Sequence, residues 1–227
     1  MAAETPVLCP ALWTAVQAED GQTEEVRTEE VLQLLAGEGS GEVDIEERWG
    51  PHETSPLHEA ALGVHEAIVL LLLEHGADVL ATDNRGLTSI HFAACHNNQA
   101  LLLLLLDRGA DLKSTTYEGQ TPLHAAANYG RMEMAQLLLD KGADLQSKTN
   151  DGQTAEDYAR HHPLVAAMLK AEAERREAVL KAEAERLEAV RKAQCVAFAM
   201  GDHERLGAGS LVRWLDAGVV GMVLEQV

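Results

Sequence analysis

Histidine is the residue type whose spacing in this sequence most invites a chemical interpretation. His58, His91 and His124 are evenly spaced, each number exceeding the last by 33, and His161 is followed directly by His162. Imidazole exchanges protons near neutral pH and binds zinc, so such residues could serve as general bases or metal ligands. His161 and His162, however, have no further ligand at the spacing of a zinc site. The regular series of three therefore indicates a recurring structural role.

The sequence contains none of the short motifs that carry nucleophilic, metal-dependent or phosphate chemistry. GxxxxGK[ST], GxSxG and HExxH are missing, and the Gly-rich stretch 37–41 is a loop in an acidic segment. Cys9, Cys95 and Cys195 are odd in number, far apart and without CxxC spacing. They are interpreted as reduced thiols of a cytoplasmic protein, with the nucleus as the alternative location. We predict no enzymatic activity, no cofactor and no metal.

The histidines recur because the middle of the chain is built from repeats of one fixed length. Internal repeats of this length are typical of stacked helical units, each too small to bury its own apolar face. Four further series keep the same step: Gly76, Gly109, Gly142; Gly86, Gly119, Gly152; Ser55, Thr88, Thr121, Thr154; and Ala60, Ala93, Ala126, Ala159. Five series that stay in register through the middle of the chain exclude coincidence.

Each repeat has the same order of elements. A turn such as Asn84-Arg85-Gly86 precedes a helix with the pattern Thr/Ser-Pro-Leu-His-x-Ala-Ala, clearest at 121–127. Thr or Ser caps the helix, and Pro at its first position loses no hydrogen bond. A second, Leu-rich helix such as 100–106 follows and ends at Gly-Ala-Asp. Gly suits the left-handed conformation at a helix C-terminus.

This pattern resembles the ankyrin repeat family over roughly residues 9–169. The resemblance implies an all-α fold, an α-solenoid with short β-hairpin turns, in which the recurrent histidines bond local backbone and tie neighbouring units together. Residues 1–48 form a divergent, acidic N-terminal capping repeat, and 49–169 comprise three full repeats, at 50–82, 83–115 and 116–148, plus a C-terminal cap. In the cap, Glu156 and Asp157 replace the usual Leu-His pair, as suits a polar outer face.

Three residues depart from the repeat pattern. Glu53 occupies the position of a turn glycine, and Val64 and Asn97 occupy the position of Gly130 at the end of the first helix. Asn tolerates the left-handed conformation, but Val does not. We therefore expect the bend in the first full repeat to shift to Gly63.

A different composition begins at Lys170, where an 11-residue pattern rich in Lys, Glu and Ala recurs at Lys181. This period and i,i+4 pairs such as Glu172–Arg176 predict a long charged helix over roughly 164–200, with 170–200 as a segment of its own. It is interpreted as a solvated strut or a helix lying on the solenoid, with a coiled-coil or partner-binding arm as the alternative.

Residues 201–227 are predicted to form a short helical hairpin tail. The hairpin is interpreted as a small hydrophobic mini-domain or dimer contact. The alternative is a faint similarity to the F-box or SOCS-box adaptors of ubiquitin ligases.

The family resemblance also implies a binding surface. Ankyrin proteins bind partners with the hairpin tips and the exposed ridge of the first helices. The residues expected to contact a partner are Arg85, Leu87, Phe92, His96, Tyr117, Gln120, Asn128, Tyr129 and His161. The same surface includes His52, Thr54, Asn84, Asn150 and Gln153 at the tips, and Leu62, Cys95 and His162 on the ridge. Phe92, Tyr117 and Tyr129 are the strongest candidates, because aromatic side chains dominate interface energetics.

Charge narrows the class of partner. The net charge is −19, and residues 1–48 carry 12 acidic residues against 2 basic ones. This excess repels phosphate and anionic membranes and attracts basic proteins, and no apolar run approaches the roughly 20 residues of a membrane span. The acidic surface is interpreted as solvated and solubilising, with attraction of a basic protein partner as the alternative. We expect a protein partner, no nucleic acid and no membrane, and leave open weak self-association through 170–200. The predicted function is a non-enzymatic interaction scaffold; the alternative is an adaptor whose tail recruits an effector such as a ubiquitin ligase.

Overall fold

The computed structural model describes residues 11–17, 23–36 and 44–206. Within these ranges the secondary structure is helical, apart from a single β-bridge between Trp49 and Thr54. The helices are α1 (Ala11–Gln17), α2 (Glu24–Leu35), α3 (Pro56–Leu62), α4 (Glu66–Glu74), α5 (Ser89–Cys95), α6 (Gln99–Asp107), α7 (Pro122–Asn128), α8 (Met132–Asp140), α9 (Ala155–Tyr158) and α10 (Pro163–Leu206), with a 3-10 turn at Ala159–His161 between the last two.

The first helix of each repeat begins where its sequence requires. Ser55, Thr88 and Thr121 take extended backbone conformations at the N-caps of α3, α5 and α7, and each forms a capping box with the histidine three residues later. A capping box satisfies two backbone N–H groups that a helix N-terminus would leave unpaired. Each of these helices ends after seven residues, so it contributes about two turns to the stack.

The helices stack in two rows. The first helices pack in the order α1, α3, α5, α7 and α9, and the second helices α2, α4 and α6 pack behind them. Alanines on α3, α5 and α7 are fully buried, which lets neighbouring first helices approach closely. The second helices fill the space between the rows with Leu, Ile and Met side chains. The largest of these fully buried residues are Ile68, Leu72, Leu101, Leu102, Leu105, Met134 and Leu138.

The turn positions follow the glycine series, with one correction. Gly130, Asn97 and Val64 all have positive φ, of 67°, 57° and 63°, whereas Gly63 has a φ of −73°. The expected shift of the bend to Gly63 is therefore wrong: Val64 takes the left-handed conformation itself. A Cβ at Gly63 would lie 2.6 Å from the ring of His65, so that ring lies where a side chain at this position would be.

The chain divides into two units, Met1–Ala171 and Glu172–Val227. In the first, Val165 and Leu169 of α10 are buried. In the second, the part of α10 whose side chains are described carries the predicted Glu172–Arg176 ion pair at 2.9 Å and a Glu188–Lys192 pair at 3.3 Å. The hydrogen bond from Arg176, with a smaller contribution from Arg175, lowers the pKa of Glu172. Val179, Leu180, Leu187 and Val190 are exposed.

Helix α10 continues through Gly201 to Leu206, six residues beyond the predicted end. The predicted tail helices fall on 207–227, outside the described residues. No described helix combines the length and the apolar character needed to cross a bilayer.

Candidate functional site

The three recurrent histidines each bond their own helix to a backbone carbonyl farther along the chain. In the second full repeat, Nδ1 of His91 accepts the backbone N–H of Thr88 at 3.2 Å and lies 2.9 Å from the Thr88 hydroxyl. Since Nδ1 accepts an N–H, the proton of the neutral ring is on Nε2, which donates to the carbonyl of Gln120 at 3.2 Å. The equivalent bond to the following repeat runs from His124 Nε2 to Gln153 O at 3.3 Å. In the first full repeat, His58 Nε2 instead donates to Ala81 O at 3.0 Å, near the end of its own repeat.

Burial keeps these rings neutral. Desolvation lowers the pKa of His91 to about 4, against a smaller opposing effect from its bond to the Gln120 carbonyl. Desolvation also lowers the pKa values of His58 and His124. A ring that is neutral at physiological pH, with both nitrogens bonded to backbone, can act neither as a proton donor nor as a free metal ligand. The bonds of these histidines to backbone are structural.

The hairpin tips between repeats are joined by a second series of hydrogen bonds. The backbone N–H of Tyr117 donates to the carbonyl of Arg85 at 3.0 Å. The same bond recurs one repeat earlier, from Asn84 to His52, and one repeat later, from Asn150 to Glu118. Each tip is thus held by the tip before it. The row of tips is a continuous ribbon whose outward side chains have fixed spacing.

Each tip is also held internally by a buried side chain at its base. Asp83 accepts the backbone N–H groups of Arg85 and Leu87, at 2.9 and 2.8 Å, and pairs with the guanidinium of Arg85 at 2.9 Å. Thr116 and Thr149 occupy the same position one and two repeats later. Their hydroxyls accept the backbone N–H groups of Gln120 and Gln153, respectively. Sequence reasoning missed these residues, although the series 83, 116, 149 has the period of the repeat and a side-chain acceptor at every position.

The C-terminal ends of the first helices form a ridge about two helical turns away from the tips. His96, Asn128, Tyr129 and His161 are all exposed there, and Cys95 is half-buried. Together with the exposed tip residues Arg85 and Tyr117, and with Leu87 and Gln120, which are half-buried, they form one surface, called here the tip-and-ridge surface.

A family model described as ankyrin repeats in three copies matches residues 12–116 and 90–177. These matches cover more than half of the 227 residues. The chain belongs to the ankyrin repeat family. The predicted family and all-α repeat fold are confirmed, and ankyrin repeats are in general protein–protein interaction modules.

Tyr117 is the most exposed aromatic side chain of this ankyrin surface, at 68%. Its backbone is fixed by the bond to Arg85, and its carbonyl accepts the amide of Asn150 at 2.8 Å. A Cβ at Gly86, where φ is 81°, would lie 2.7 Å from the Tyr117 nitrogen and 3.0 Å from its ring, so only glycine permits this approach. Tyr117 is therefore held in place while its ring faces solvent.

Two expected surface residues are buried, and for them the prediction of an exposed contact is wrong. Phe92 is only 8% exposed, because its ring packs edge-on against His58 of the preceding repeat with centroids 5.8 Å apart. Thr54 is buried between the first repeat and the next: its hydroxyl donates to Glu59 at 2.7 Å and accepts from the indole of Trp13 at 3.4 Å. Both residues hold repeats together.

His162, Cys95 and Asp157 have roles in structure at the ridge and the cap. His162 Nε2 donates to the carbonyl of Asn128 at 3.0 Å, and its ring covers Gly130. Burial raises the pKa of the Cys95 thiol to about 11, so it is almost entirely protonated at neutral pH. In the closing repeat, Asp157 replaces the histidine of the capping box, and its bonds from Thr154 lower its pKa. Among the described residues no three His, Cys, Asp or Glu side chains converge as metal ligands.

Proposed function

We propose that this ankyrin protein is a non-enzymatic scaffold that binds a partner protein on its tip-and-ridge surface. The observation that carries the proposal is that the side chain of Tyr117 is strongly exposed, while its backbone is fixed by hydrogen bonds to the tips before and after it. Tyr129, 53% exposed, is the second aromatic residue of the same surface. A backbone that is already ordered loses little conformational entropy on binding, and exposed aromatic side chains dominate interface energetics.

The charges of the tips favour a basic partner. Glu118 and Asp151 are exposed at successive tips, whereas the guanidinium of Arg85 is neutralised by Asp83. The whole chain carries a net charge of −19. A basic partner segment is therefore attracted over a distance of about one Debye length, roughly 8 Å at physiological salt.

The test is affinity capture from cell extract followed by mass spectrometry, with the full chain as bait. The double variant Tyr117→Ala/Tyr129→Ala should lose the main partner, because it removes both aromatic contacts without removing a buried side chain. Gln136→Ala, an exposed change on α8, is the matched control and should capture as wild type does. Equal capture of every partner by the double variant would reject this surface.

The alternative role, an adaptor that recruits an effector such as a ubiquitin ligase through 201–227, stays a prediction, because 207–227 lie outside the described residues. Weak self-association through 170–200 and the cytoplasmic or nuclear location also stay predictions. None of these is needed for the scaffold function proposed here.

A further inference from the structure

The second helices present different outward faces in successive repeats. The outward face of α8 is formed by Glu133, Gln136, Leu137 and Asp140, four residues at i, i+3, i+4 and i+7. One repeat earlier, α6 has Ala100, Leu103, Leu104 and Asp107 at these positions, and α4 has Ala67, Leu70, Leu71 and Glu74. Leu thus replaces Gln at the middle of this face in two consecutive repeats.

These leucines are not required by the repeat core. The core face of each second helix is formed by other residues, such as Leu101, Leu102 and Leu105 of α6, which are fully buried. Leu103 is 37% exposed, and Leu70 is half-buried. At the same position of α8, Gln136 is exposed and the helix forms equally well. The fold therefore accepts a polar residue here, and Leu70 and Leu103 leave apolar surface in solvent.

The two leucines lie on neighbouring helices, since α4 packs directly against α6. Packed helices have axes about 8–10 Å apart, so the exposed row crosses from one helix to the next. The exposed or half-buried residues of this row, called here the second-helix patch, are Ala67, Leu70, Leu71, Ala100, Leu103 and Leu104. A row that spans two neighbouring helices matches the width of the apolar stripe of one amphipathic helix, so one such helix can cover it.

The charge around the patch decides what can cover it. Helices α2, α4, α6 and α8 contain nine acidic residues and one basic residue, Arg27. Arg108, which follows α6, is paired with Glu74 at 3.7 Å. Two copies of this acidic surface would repel each other, and like charges brought together across an interface oppose binding. A helix with Lys and Arg beside its apolar stripe is instead complementary to it.

We propose that the second-helix patch is a second binding surface of this protein, and that its ligand is an amphipathic helix of a partner protein with basic flanks. The leucines bury the apolar stripe of that helix, and acidic residues at the helix ends, such as Glu66 and Asp107, pair with its Lys and Arg. This surface is formed by the second helices, so it is separate from the tip-and-ridge surface and does not depend on the proposed function there.

The test uses two synthetic peptides of about 18 residues, long enough for five helical turns. One has Leu on one face and Lys on the other, and the second has Glu in place of Lys. Titration of the full chain by fluorescence anisotropy should show binding of the Leu/Lys peptide, weakened by added salt, and at least about tenfold weaker binding of the Leu/Glu peptide. Equal binding of both peptides, or of neither, would overturn the proposal.

Variants copied from α8 locate the binding. The double variant Leu70→Gln/Leu103→Gln should bind the Leu/Lys peptide about tenfold or more weakly than wild type does, while its thermal unfolding midpoint stays close to that of wild type. Gln136→Leu should strengthen binding of this peptide by extending the row of leucines, and the control Gln146→Ala, at an exposed residue outside both surfaces, should leave it within about twofold. Unchanged binding by the double variant would overturn the proposal.

Two further measurements test whether something other than a partner helix covers the patch. Sedimentation showing a dimer of wild type that Leu103→Gln dissociates would assign the patch to a second copy. A roughly tenfold gain in peptide affinity on the substitution Trp214→Asp in the full chain would assign it to the chain's own tail. Either result would overturn the proposal.

Discussion

Protonation of His91 should destabilise the repeat stack in mild acid, since its buried ring accepts the backbone N–H of Thr88 at Nδ1 only while it is neutral. In the folded protein the pKa of His91 is about 4, whereas an unfolded histidine has its ordinary value near 6.5. The unfolded chain therefore binds a proton first as the pH falls. It follows that the contribution of His91 is fully present above pH 6.5 and is lost as the pH decreases from 6.5 to about 4.

The size of the effect follows from the two pKa values. At pH 5 the linkage amounts to about 2 kcal/mol, and below pH 4 it reaches about 3 kcal/mol. Domains of this kind are stable by about 5–15 kcal/mol, so the loss is a substantial fraction of the free energy of unfolding. His58 and His124, whose pKa values are also lowered by burial, add to it in the same direction.

The assay is urea unfolding followed by circular dichroism at pH 7, 6 and 5 and constant ionic strength, on wild type, His91→Gln and His96→Gln. Gln can still accept in the capping box but does not titrate, so His91→Gln should be less stable than wild type at pH 7 by about 1–3 kcal/mol and should lose less stability on acidification. His96 is exposed, and its variant should follow wild type. If His91→Gln and wild type lose the same stability between pH 7 and 5, the reasoning is refuted.

Two substitutions and one labelling reaction test the structure at single residues. Val64→Gly, which copies Gly130, should stabilise the protein by about 1 kcal/mol in urea unfolding, because it removes a left-handed β-branched residue; a loss of stability would contradict the assignment of the bend. Phe92→Ala should cost about 3 kcal/mol in the same assay through the cavity it leaves, whereas the exposed Tyr129→Ala should stay within about 0.5 kcal/mol; similar effects of the two would show that Phe92 is not buried. Cys95, with its raised pKa, should be alkylated by iodoacetamide at pH 8 about 100-fold more slowly than free cysteine, as peptide mapping would measure; rapid labelling would place the thiol in solvent.

The parts of the fold that repeat with a fixed period could be predicted from the sequence. The repeat places a histidine three residues after the capping Ser or Thr, as His91 follows Thr88, and local helix geometry then determines the capping box. The charge and spacing of Glu172 and Arg176 likewise determine a pair on one face of α10. These features depend on neighbours within a few residues.

Features that depend on contacts between repeats could not be predicted. A β-branched residue such as Val64 disfavours the left-handed conformation, so the sequence alone points to Gly63 as the bend. In the structure the helices on either side fix the bend at Val64, and the ring of His65 lies close to Gly63. Phe92 occupies the same repeat position as Glu59 and Ala125, and all three are buried. Because an aromatic residue at a position of varying residue type is typical of an interface, the sequence indicated an exposed contact instead. The burial of Phe92 depends on the ring of His58 one repeat away, which no local pattern reports.

Hydrogen exchange of the purified chain with its captured partner is the most direct measurement of where this ankyrin protein binds. The scaffold account predicts that partner binding slows exchange in the tips at 84–87 and 117–120 and at the ridge around Tyr129, with less change in α10 beyond residue 172. Unchanged exchange in all of those segments, with slowing confined to other parts of the chain, would contradict it.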